Sequence, residues 1–319
     1  MVLLSQRALT ASDADAALFA DREHELERIE RALGLRFNVF VLAPAGSGVT
    51  SLLHQLERRL GEGVAYVNAG PSSSFEGLLG AVSRALGSRI LVDTAADLFA
   101  GLRDAAAERG PATVLLDGAE RALRHELFGR QRDELWELPL RWVANGASPP
   151  APPADAFFET TVRLEPLDEP AMREVLQRRA APDESDADAA RMRALADRLP
   201  PLLGEAWPRD LLAVTRELML SEDPDVGLET LAVRRAARDE LSDTAVRVLD
   251  ALAGIGPAHA GDERLLEEIG TTRARVNQVL KELEAAGLVV AEQSGRRRLY
   301  APARGSSTID TQSERGVRA

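Results

Sequence analysis

A glycine-rich segment near the N-terminus has the composition of a phosphate-binding loop. Residues 42–51 read Leu-Ala-Pro-Ala-Gly-Ser-Gly-Val-Thr-Ser, between an apolar run and a helical pattern. Glycines in such a turn let backbone N–H groups point at phosphate oxygens, and the N-terminus of the following helix adds positive potential. The alternative is a glycine turn that binds nothing. The candidate phosphate-binding residues are Ala45, Gly46, Ser47, Gly48, Val49, Thr50 and Ser51.

The segment departs from the phosphate-loop pattern G-x-x-x-x-G-K-[ST] at two positions. Ala43 stands in place of the first glycine, and Val49 stands in place of the lysine. A charged hydrogen bond to phosphate contributes about 1.5–3 kcal/mol, or about 10–100-fold in affinity. Losing a donor that stabilises transition-state charge costs about 2.7–4 kcal/mol, by analogy with oxyanion donors. We therefore expect weak ATP or ADP binding and weak or absent hydrolysis.

Polar side chains follow two later apolar runs. A run ending in Asp117 is followed by Glu120, a spacing in which Asp117 can hold Mg²⁺, together with Thr50, while Glu120 polarises the attacking water. Asn145 follows the apolar run 140–144, and an amide there can orient water near a γ-phosphate. The alternatives are a solvated acidic turn and an amide that bonds nearby backbone.

Three arginines could contribute charge from elsewhere in the chain. Arg209 follows Trp-Pro at the start of a helical pattern and could reach a phosphate. Arg130 and Arg132 could face the nucleotide of a neighbouring subunit. The alternative for Arg209 is a plain surface arginine, and the alternative for Arg130 and Arg132 is a solvated charged helix face, which is the commoner role of such residues.

The elements that must position these residues alternate between strands and helices. Apolar strand-like runs cover 37–42, 64–68, 112–116 and 140–144, and helical periodicity covers 25–33, 51–60, 75–86 and 95–108. This alternation predicts the α/β class, with a mostly parallel sheet of P-loop NTPase type and helices on both faces, over residues 1–165. After residue 165 helical patterns at 169–180, 187–198, 207–220 and 227–240 predict a helical lid domain over 166–240.

The last part of the chain changes character again. Helical patterns at 244–253, 263–269 and 272–286 precede two strand-like runs at 288–292 and 297–301. This order predicts a winged helix-turn-helix domain over 241–304, followed by a disordered tail over 305–319. Residues 241–304 hold nine acidic and nine basic side chains, whereas residues 271–304 hold seven basic and three acidic ones.

Positive charge is therefore confined to the third helix and the wing, as a DNA-binding face requires. Arginine and Asn or Gln make bidentate base contacts, and wing arginines suit phosphates. A protein-docking winged helix is the alternative. The candidate DNA-binding residues are Arg273, Arg275, Asn277, Gln278, Lys281, Arg296, Arg297 and Arg298.

Six segments together resemble one family. Residues 19–26, Phe-Ala-Asp-Arg-Glu-His-Glu-Leu, resemble the F-x-G-R-E-x-E-L box of origin-recognition-like and STAND-type AAA+ ATPases, with Asp21 in place of glycine. Residues 43–50 and 115–120 resemble its Walker A and Walker B motifs, and Asn145 lies where sensor 1 would lie. Residues 164–167 resemble the segment entering the lid, and 208–210 resemble sensor 2.

This resemblance covers about 200 residues and implies a nucleotide-binding site. ATP or ADP would lie between the sheet domain and the lid, with Arg22 close to the nucleotide, and a winged helix would follow. The departures at Asp21, Ala43 and Val49 argue against ATP turnover.

Composition excludes several classes of protein. The chain has no cysteine, so it has neither disulfides nor thiolate metal sites, and its formal net charge is −12. Nucleic-acid contact must therefore be local. Only one of 39 basic residues is a lysine, which is typical of a bacterial protein from a GC-rich genome. No signal-peptide pattern and no apolar run of about 18 residues is found, which predicts a cytoplasmic protein with no membrane contact.

Three functions fit these observations. The first is a nucleotide-responsive DNA-binding regulator or initiator-like factor that binds ATP or ADP with Mg²⁺ and double-stranded DNA. The second is a pseudo-ATPase scaffold that docks partner proteins, such as itself or an active AAA+ neighbour. The third is a true ATPase in which an arginine replaces the missing lysine.

Overall fold

The computed structural model describes residues 4–5, 7–87, 95–109, 112–180, 187–294 and 297–303. They form two compact units. Residues 8–165 make up the first, here called the sheet unit, and residues from 166 onward, with those before residue 8, make up the C-terminal unit. The predicted tail at 305–319 and Arg296 lie outside the described residues.

The sheet unit contains five parallel strands with the spatial order β2-β3-β4-β1-β5. The predicted α/β class is confirmed. A short strand at 160–163, which the apolar pattern does not predict, forms the edge beside β1. The strands are β1 (Val39–Leu42), β2 (Val64–Asn68), β3 (Ala112–Asp117), β4 (Leu140–Gly146) and β5 (Thr160–Arg163).

Helices cover both faces of this sheet, as the sequence predicts. Those of the sheet unit are α1 (Asp13–Leu18), α2 (Glu23–Gly34), α3 (Val49–Leu60), α4 (Phe75–Ala85), α5 (Ala95–Arg109), α6 (Arg121–His125), a π-helical turn (Glu126–Arg130), α7 (Arg132–Trp136) and a 3₁₀ turn (Ala154–Phe157).

Strand alternation decides which side chains meet which helices, because successive residues of a strand point to opposite faces. Phe40, Val114 and Trp142 lie in one core with α4, α5 and the π-helical turn. The other face is covered by α2 and α3. The residues that alternate with these core residues along each strand point to the opposite face. Asp117, next to Leu116, and Asn145, next to Ala144, therefore face α3 rather than α4 and α5.

The C-terminal unit begins with four helices and ends with three helices and a hairpin. Its elements are α8 (Glu169–Arg179), α9 (Ala187–Leu203), α10 (Pro208–Leu220), α11 (Pro224–Asp239), α12 (Asp243–Ile255), α13 (Glu263–Ile269), α14 (Arg273–Ala285), and the antiparallel strands β6 (Val289–Ser294) and β7 (Arg297–Pro302). A core that includes Val248, Leu265, Val276 and Tyr300 joins α12–α14 to the hairpin.

The bounds of several elements differ from those the sequence predicts. Helix α9 continues to Leu203 through two prolines, and α11 begins three residues earlier, at Pro224, behind the capping residue Asp223. Strand β1 begins at Val39, because the backbone N–H of Asn38 donates to the Glu159 carboxylate at 2.6 Å rather than to a neighbouring strand. Over the described ranges, no helix is long and apolar enough to cross a bilayer.

Candidate functional site

The glycine segment forms a tight loop between β1 and α3. Gly46 and Gly48 adopt left-handed backbone conformations, with φ of 88° and 85°, which side-chain-bearing residues rarely adopt. Helix α3 then begins at Val49. Ser47 is only 2% exposed, and within the described residues its hydroxyl oxygen has no hydrogen-bond partner. Since buried hydroxyls normally find partners, this orphaned oxygen suits a polar ligand held in the loop.

The loop, Asn145 and Asp117 lie at one edge of the sheet. Leu42 pairs with Gly146 across β1 and β4, and the N–H of Ala43 donates to the carbonyl of Gly146 at 2.9 Å. Leu116 pairs with Ala144 across β3 and β4. Because the strands are parallel, their carboxyl ends meet at this edge, which is where α/β proteins bind ligands.

Asp117 is the centre of a hydrogen-bond network. Its carboxylate accepts from the Tyr66 hydroxyl at 2.8 Å and from the Asn145 amide nitrogen at 2.7 Å. Asn145 in turn accepts from the N–H of Gly118 at 3.0 Å. Asp117 is 6% exposed and Asn145 is 5% exposed, so this network is buried. The structure thus brings together the predicted metal ligand and the predicted sensor residue.

Tyr66 is held as a neutral phenol. Burial, the Asp117 charge and the hydrogen bond to Asp117 raise the pKa of Tyr66 well above its usual value, with a smaller contribution from Glu57. The phenol ring packs on His54 of α3 with ring centroids 4.1 Å apart. His54 Nδ1 lies 2.9 Å from Glu57 Oε2. Tyr66 therefore remains a donor to Asp117 and connects β2, β3 and α3.

One of the predicted phosphate-loop residues, Ser51, has another contact. The Ser51 hydroxyl accepts from the N–H of Leu9 at 2.9 Å, which fixes the N-terminal segment on α3. Thr50 and Val49 are half-buried on the first turn of α3, and Ala45 is exposed. The loop therefore offers backbone groups, Ser47 and Thr50, but no cationic side chain, to a phosphate.

Arg22 makes contacts that hold the sheet unit together. It lies in a left-handed conformation before α2, is 6% exposed, donates to Glu25 at 3.0 Å and donates to the carbonyl of Glu165 at 2.6 Å. Its predicted proximity to a nucleotide stays a prediction.

Glu120 and Arg209, the remaining predicted catalytic residues, are exposed. Of the two arginines predicted to face a neighbouring subunit, Arg130 is exposed and Arg132 is half-buried. Glu120 is the N-cap of α6 and makes no capping hydrogen bond with its side chain. Arg209 lies in the first turn of α10, in the C-terminal unit. Arg130 pairs with Glu126 at 3.0 Å, and Arg132 stacks over Trp136 at 5.4 Å. The contacts of Arg130 and Arg132 fit the solvated-surface alternative.

A magnesium ion at this site would be held by Thr50, Asp117 and phosphate oxygens, in keeping with the Mg²⁺ preference for one or two carboxylates plus substrate phosphates. Each Asp117 oxygen already accepts one hydrogen bond but retains a free lone pair. The donor set therefore fits, although the ion would share Asp117 with Tyr66 or displace its hydroxyl. Among the described residues no cluster of three metal-binding side chains exists.

A second candidate surface lies on α14 and the hairpin. Arg273, Asn277 and Lys281 are exposed and spaced four residues apart, so they form one row on the helix. Val276, Val279, Leu280 and Leu283 are buried on its other side. Gln278 is exposed and bonds Glu282 at 2.9 Å, and Arg275 is half-buried.

The hairpin arginines are exposed but have protein partners. Arg297 lies 3.1 Å from His259, while Arg298 donates to Glu284 and stacks over Tyr300 at 5.7 Å.

Tyr66 and Arg124, which shape the ends of β3 and β4, were not predicted. Tyr66 has a sequence signal: period-two alternation with buried Ala65 and Val67 places it on the same face as Asp117. Arg124 has none, because its contacts with Ala119 and Gly146 depend on the fold.

Comparisons with known proteins found similar structures but no similar sequence family. No family model matches the sequence, and no curated protein sequence matches it either. The crystal structure of Cdc6p from Pyrobaculum aerophilum is similar with a TM-score of 0.52 and 16% identity, covering 93% of this chain and 95% of that chain. A Walker-type ATPase of Pyrococcus abyssi is similar with a TM-score of 0.53 and 17% identity, covering 95% and 97%.

At these identities the likeness concerns the fold, and it extends over nearly the whole length of both structures. Together with the parallel sheet in the order β2-β3-β4-β1-β5, it shows that the chain has the P-loop NTPase type of α/β fold that its sequence predicts.

Proposed function

We propose that this chain is an AAA+-type protein that binds ATP or ADP with Mg²⁺ weakly, hydrolyses it slowly or not at all, and binds double-stranded DNA. One observation carries the nucleotide part of this proposal. The glycine loop and the Asp117–Asn145 pair end neighbouring strands at the same edge of the sheet. The orphaned Ser47 oxygen adds a polar group to the loop.

Impaired hydrolysis follows from the charges at this edge. Val49 gives the first turn of α3 no cation, and Arg22 is engaged by Glu25 and the carbonyl of Glu165. The developing charge on a transferred phosphoryl group is normally stabilised by such cations. Backbone N–H groups and the helix N-terminus remain to hold the ground state, so binding is reduced less than turnover.

Calorimetric titration with ATP–Mg²⁺ and ADP tests nucleotide binding. Val49→Lys should tighten ATP binding by about 10–100-fold, since it adds one charged hydrogen bond. Val49→Met is the matched control, because it supplies a long side chain without charge and should change affinity little. Equal affinities for the lysine and methionine variants, or no heat with any of the three proteins at millimolar nucleotide, would refute the nucleotide site.

Turnover is tested with Glu120→Gln. Phosphate release by the wild-type chain should be negligible, and the same should hold for the variant. Measurable release that Glu120→Gln abolishes would instead support the ATPase in which an arginine replaces the lysine.

The DNA part of the proposal depends on α14 and the hairpin. In this proposal residues 166–240 are a lid, residues 241–304 are a winged helix, and α14 enters the major groove. The exposed row of Arg273, Asn277 and Lys281, opposite a buried apolar stripe, supports it. Arg297 and Arg298, on the strand that follows the turn, would contact phosphates.

Fluorescence anisotropy with a labelled 25-base-pair duplex tests this assignment. Affinity should fall with salt, with a slope of roughly −2 to −4 in a plot of log K against log salt concentration, for about two to four neutralised phosphates. Lys281→Gln should weaken binding and reduce the slope by about 1. Arg103→Gln is the matched control, because it removes one exposed charge from α5. A salt-independent signal, or equal loss in both variants, would refute the DNA-binding face.

The second candidate function is a pseudo-ATPase scaffold. The contacts of Asp117 favour it, because both oxygens of the candidate metal ligand accept hydrogen bonds from protein donors. A scaffold should stay folded and bind partners without nucleotide, whereas a nucleotide-responsive regulator should change its DNA affinity when ATP–Mg²⁺ is added. Repeating the anisotropy titration with and without ATP–Mg²⁺ separates the two functions.

A further inference from the structure

A pocket of about 480 Å³ lies in the sheet unit, and no residue of the glycine loop lines it. Its wall includes Phe40, Phe128 and Phe158, and its rim includes Arg121, Arg124 and His125. Phe40 belongs to the core on the face opposite α3. The volume lies within the range of about 300–1,000 Å³ that is usual for small-molecule sites. The pocket therefore lies on the face of the sheet opposite α3, whereas the glycine loop leads into that helix.

Arg124 is the unusual group in this pocket. Its guanidinium donates to the carbonyl of Ala119 and lies 5.8 Å from the centroid of the Phe40 ring. It fills the space beside Gly146, where a Cβ would meet Nη2 at 2.7 Å. Within the described residues no carboxylate forms an ion pair with Arg124, and no acidic side chain lines the pocket.

The environment of Arg124 disfavours its charge. Burial first, and then the nearby charge of Arg121, lower the pKa of Arg124 from its usual value. A guanidinium remains protonated in proteins, so this cation stays charged in an environment that solvates it poorly. One backbone carbonyl and one ring face leave several of its five donors without a protein partner, so that water or a bound anion can accept from them. An anion in the pocket would satisfy them.

The walls define the rest of the ligand. Phe128 and Phe158 meet edge-on with centroids 4.9 Å apart, and Phe40 and Phe158 meet edge-on at 5.3 Å. Aromatic walls of this kind favour a planar apolar body. Arginine binds carboxylates through two parallel N–H donors, which fixes the orientation of the anion. Phe40 and Phe128 are fully buried, whereas Phe158 is half-buried and can meet a ligand. We propose that this pocket binds a small planar aromatic carboxylate, with its carboxylate on Arg124 and its ring against Phe158.

Calorimetry with two probes of the same shape tests the proposal on the full chain. Naphthalene-2-carboxylate should bind at least about tenfold more tightly than the neutral naphthalene-2-carboxamide, because only the former makes charged hydrogen bonds to Arg124. Arg124→Met keeps an apolar side chain of similar length and should abolish the difference between the probes. Arg130→Gln is the control, because Arg130 pairs with Glu126 and does not line the pocket.

A second variant covers the case in which Arg124→Met fails to fold. Ala122 lines the pocket from an exposed position on α6, so Ala122→Trp should fill the pocket without disturbing the core. It should abolish binding of both probes and leave ATP affinity unchanged. Failure of the pocket proposal can therefore be distinguished from failure of the nucleotide site. Equal affinity for the two probes, binding that survives Ala122→Trp, or no binding of either probe at millimolar concentration would overturn the proposal.

Discussion

Tyr66→Phe tests the network around Asp117 with the smallest available change. The substitution removes only the hydroxyl that donates to Asp117 at 2.8 Å. The ring that packs on His54 remains, and Asn145 still donates to the other carboxylate oxygen at 2.7 Å. Any effect of the substitution therefore reports the hydrogen bond from Tyr66 and its consequences for Asp117.

The expected loss of stability can be worked from burial. A hydrogen bond to a charged group contributes about 1.5–3 kcal/mol when buried. Tyr66 is half-buried, so water replaces part of the lost interaction, although Asp117 itself is 6% exposed. We expect the free energy of unfolding of the sheet unit to fall by about 1–2 kcal/mol at neutral pH. Urea denaturation, followed by tryptophan fluorescence, measures it.

The pH dependence gives a second, independent test. The pKa of Tyr66 is raised in the folded state, chiefly by burial and by the charge of Asp117, so the folded chain retains the phenol proton more strongly than the unfolded chain. The hydroxyl therefore contributes its full stability below the unfolded pKa of about 10 and loses it as pH rises through the folded pKa. The stability gap between wild type and Tyr66→Phe should be constant between pH 7 and 9 and should narrow above pH 10.

A spectroscopic control isolates the phenol. The chain has two tyrosines, and Tyr300→Phe leaves Tyr66 as the only one. Tyrosinate absorbance of that folded variant should rise only above pH 10. If Tyr66→Phe is as stable as wild type, or if the Tyr66 phenol ionises at its ordinary pKa, the buried network does not exist as described.

Further predictions concern other parts of both units. Asn38→Leu leaves two buried backbone partners of the Asn38 amide without a bond, so it should cost about 2–5 kcal/mol in urea denaturation. Gly48→Ala forces an alanine into a positive-φ conformation in the loop. It should lower the free energy of unfolding by about 1–2 kcal/mol and lower ATP affinity in calorimetry. The control is Gly61→Ala, which also has a positive φ but lies outside the loop, so it should lower stability and leave ATP affinity unchanged. Thr272→Ala removes the N-cap of α14, so it should lower the free energy of unfolding of the C-terminal unit by about 1 kcal/mol, measured by urea denaturation followed by circular dichroism. Addition of Mg²⁺ should tighten ATP binding more in Tyr66→Phe than in the wild type, because the substitution frees an oxygen of Asp117.

The sequence predicts the central strands because they are buried on both faces. Strands β1, β3 and β4 consist mostly of apolar residues, and the polar residues at the ends of β3 and β4 mark the sheet edge. Thus the meeting of Asp117 and Asn145 follows from strand order and parallel direction alone. Their hydrogen bond to each other depends on the register of β3 and β4, which no local pattern encodes.

Apolar patterns in the sequence do not predict elements that bury little apolar surface. Strand β5 buries only Val162 and exists because β1 offers a free edge, so tertiary pairing overrides its weak propensity. Helix α1 has six residues, and its N-cap Ser12 and the Asp15 carboxylate that binds Thr10 hold it in place. Contacts such as those of Arg124 join residues brought together only by the completed fold.

The parallel pairing of β1 has a consequence for synthesis of the chain. Val39 pairs with Val143 on one side and Thr160 on the other, so neither neighbour of β1 exists until about 100 further residues have been made. At about 5–20 residues per second, the ribosome takes roughly 6–24 s to travel from the end of β1 to the end of β5. Until β4 has been made, the apolar strand and the glycine loop have no neighbouring strand to join. A nascent-chain truncation before residue 140 should therefore remain sensitive to protease around β1, whereas a chain that extends well beyond β5 should be protected there.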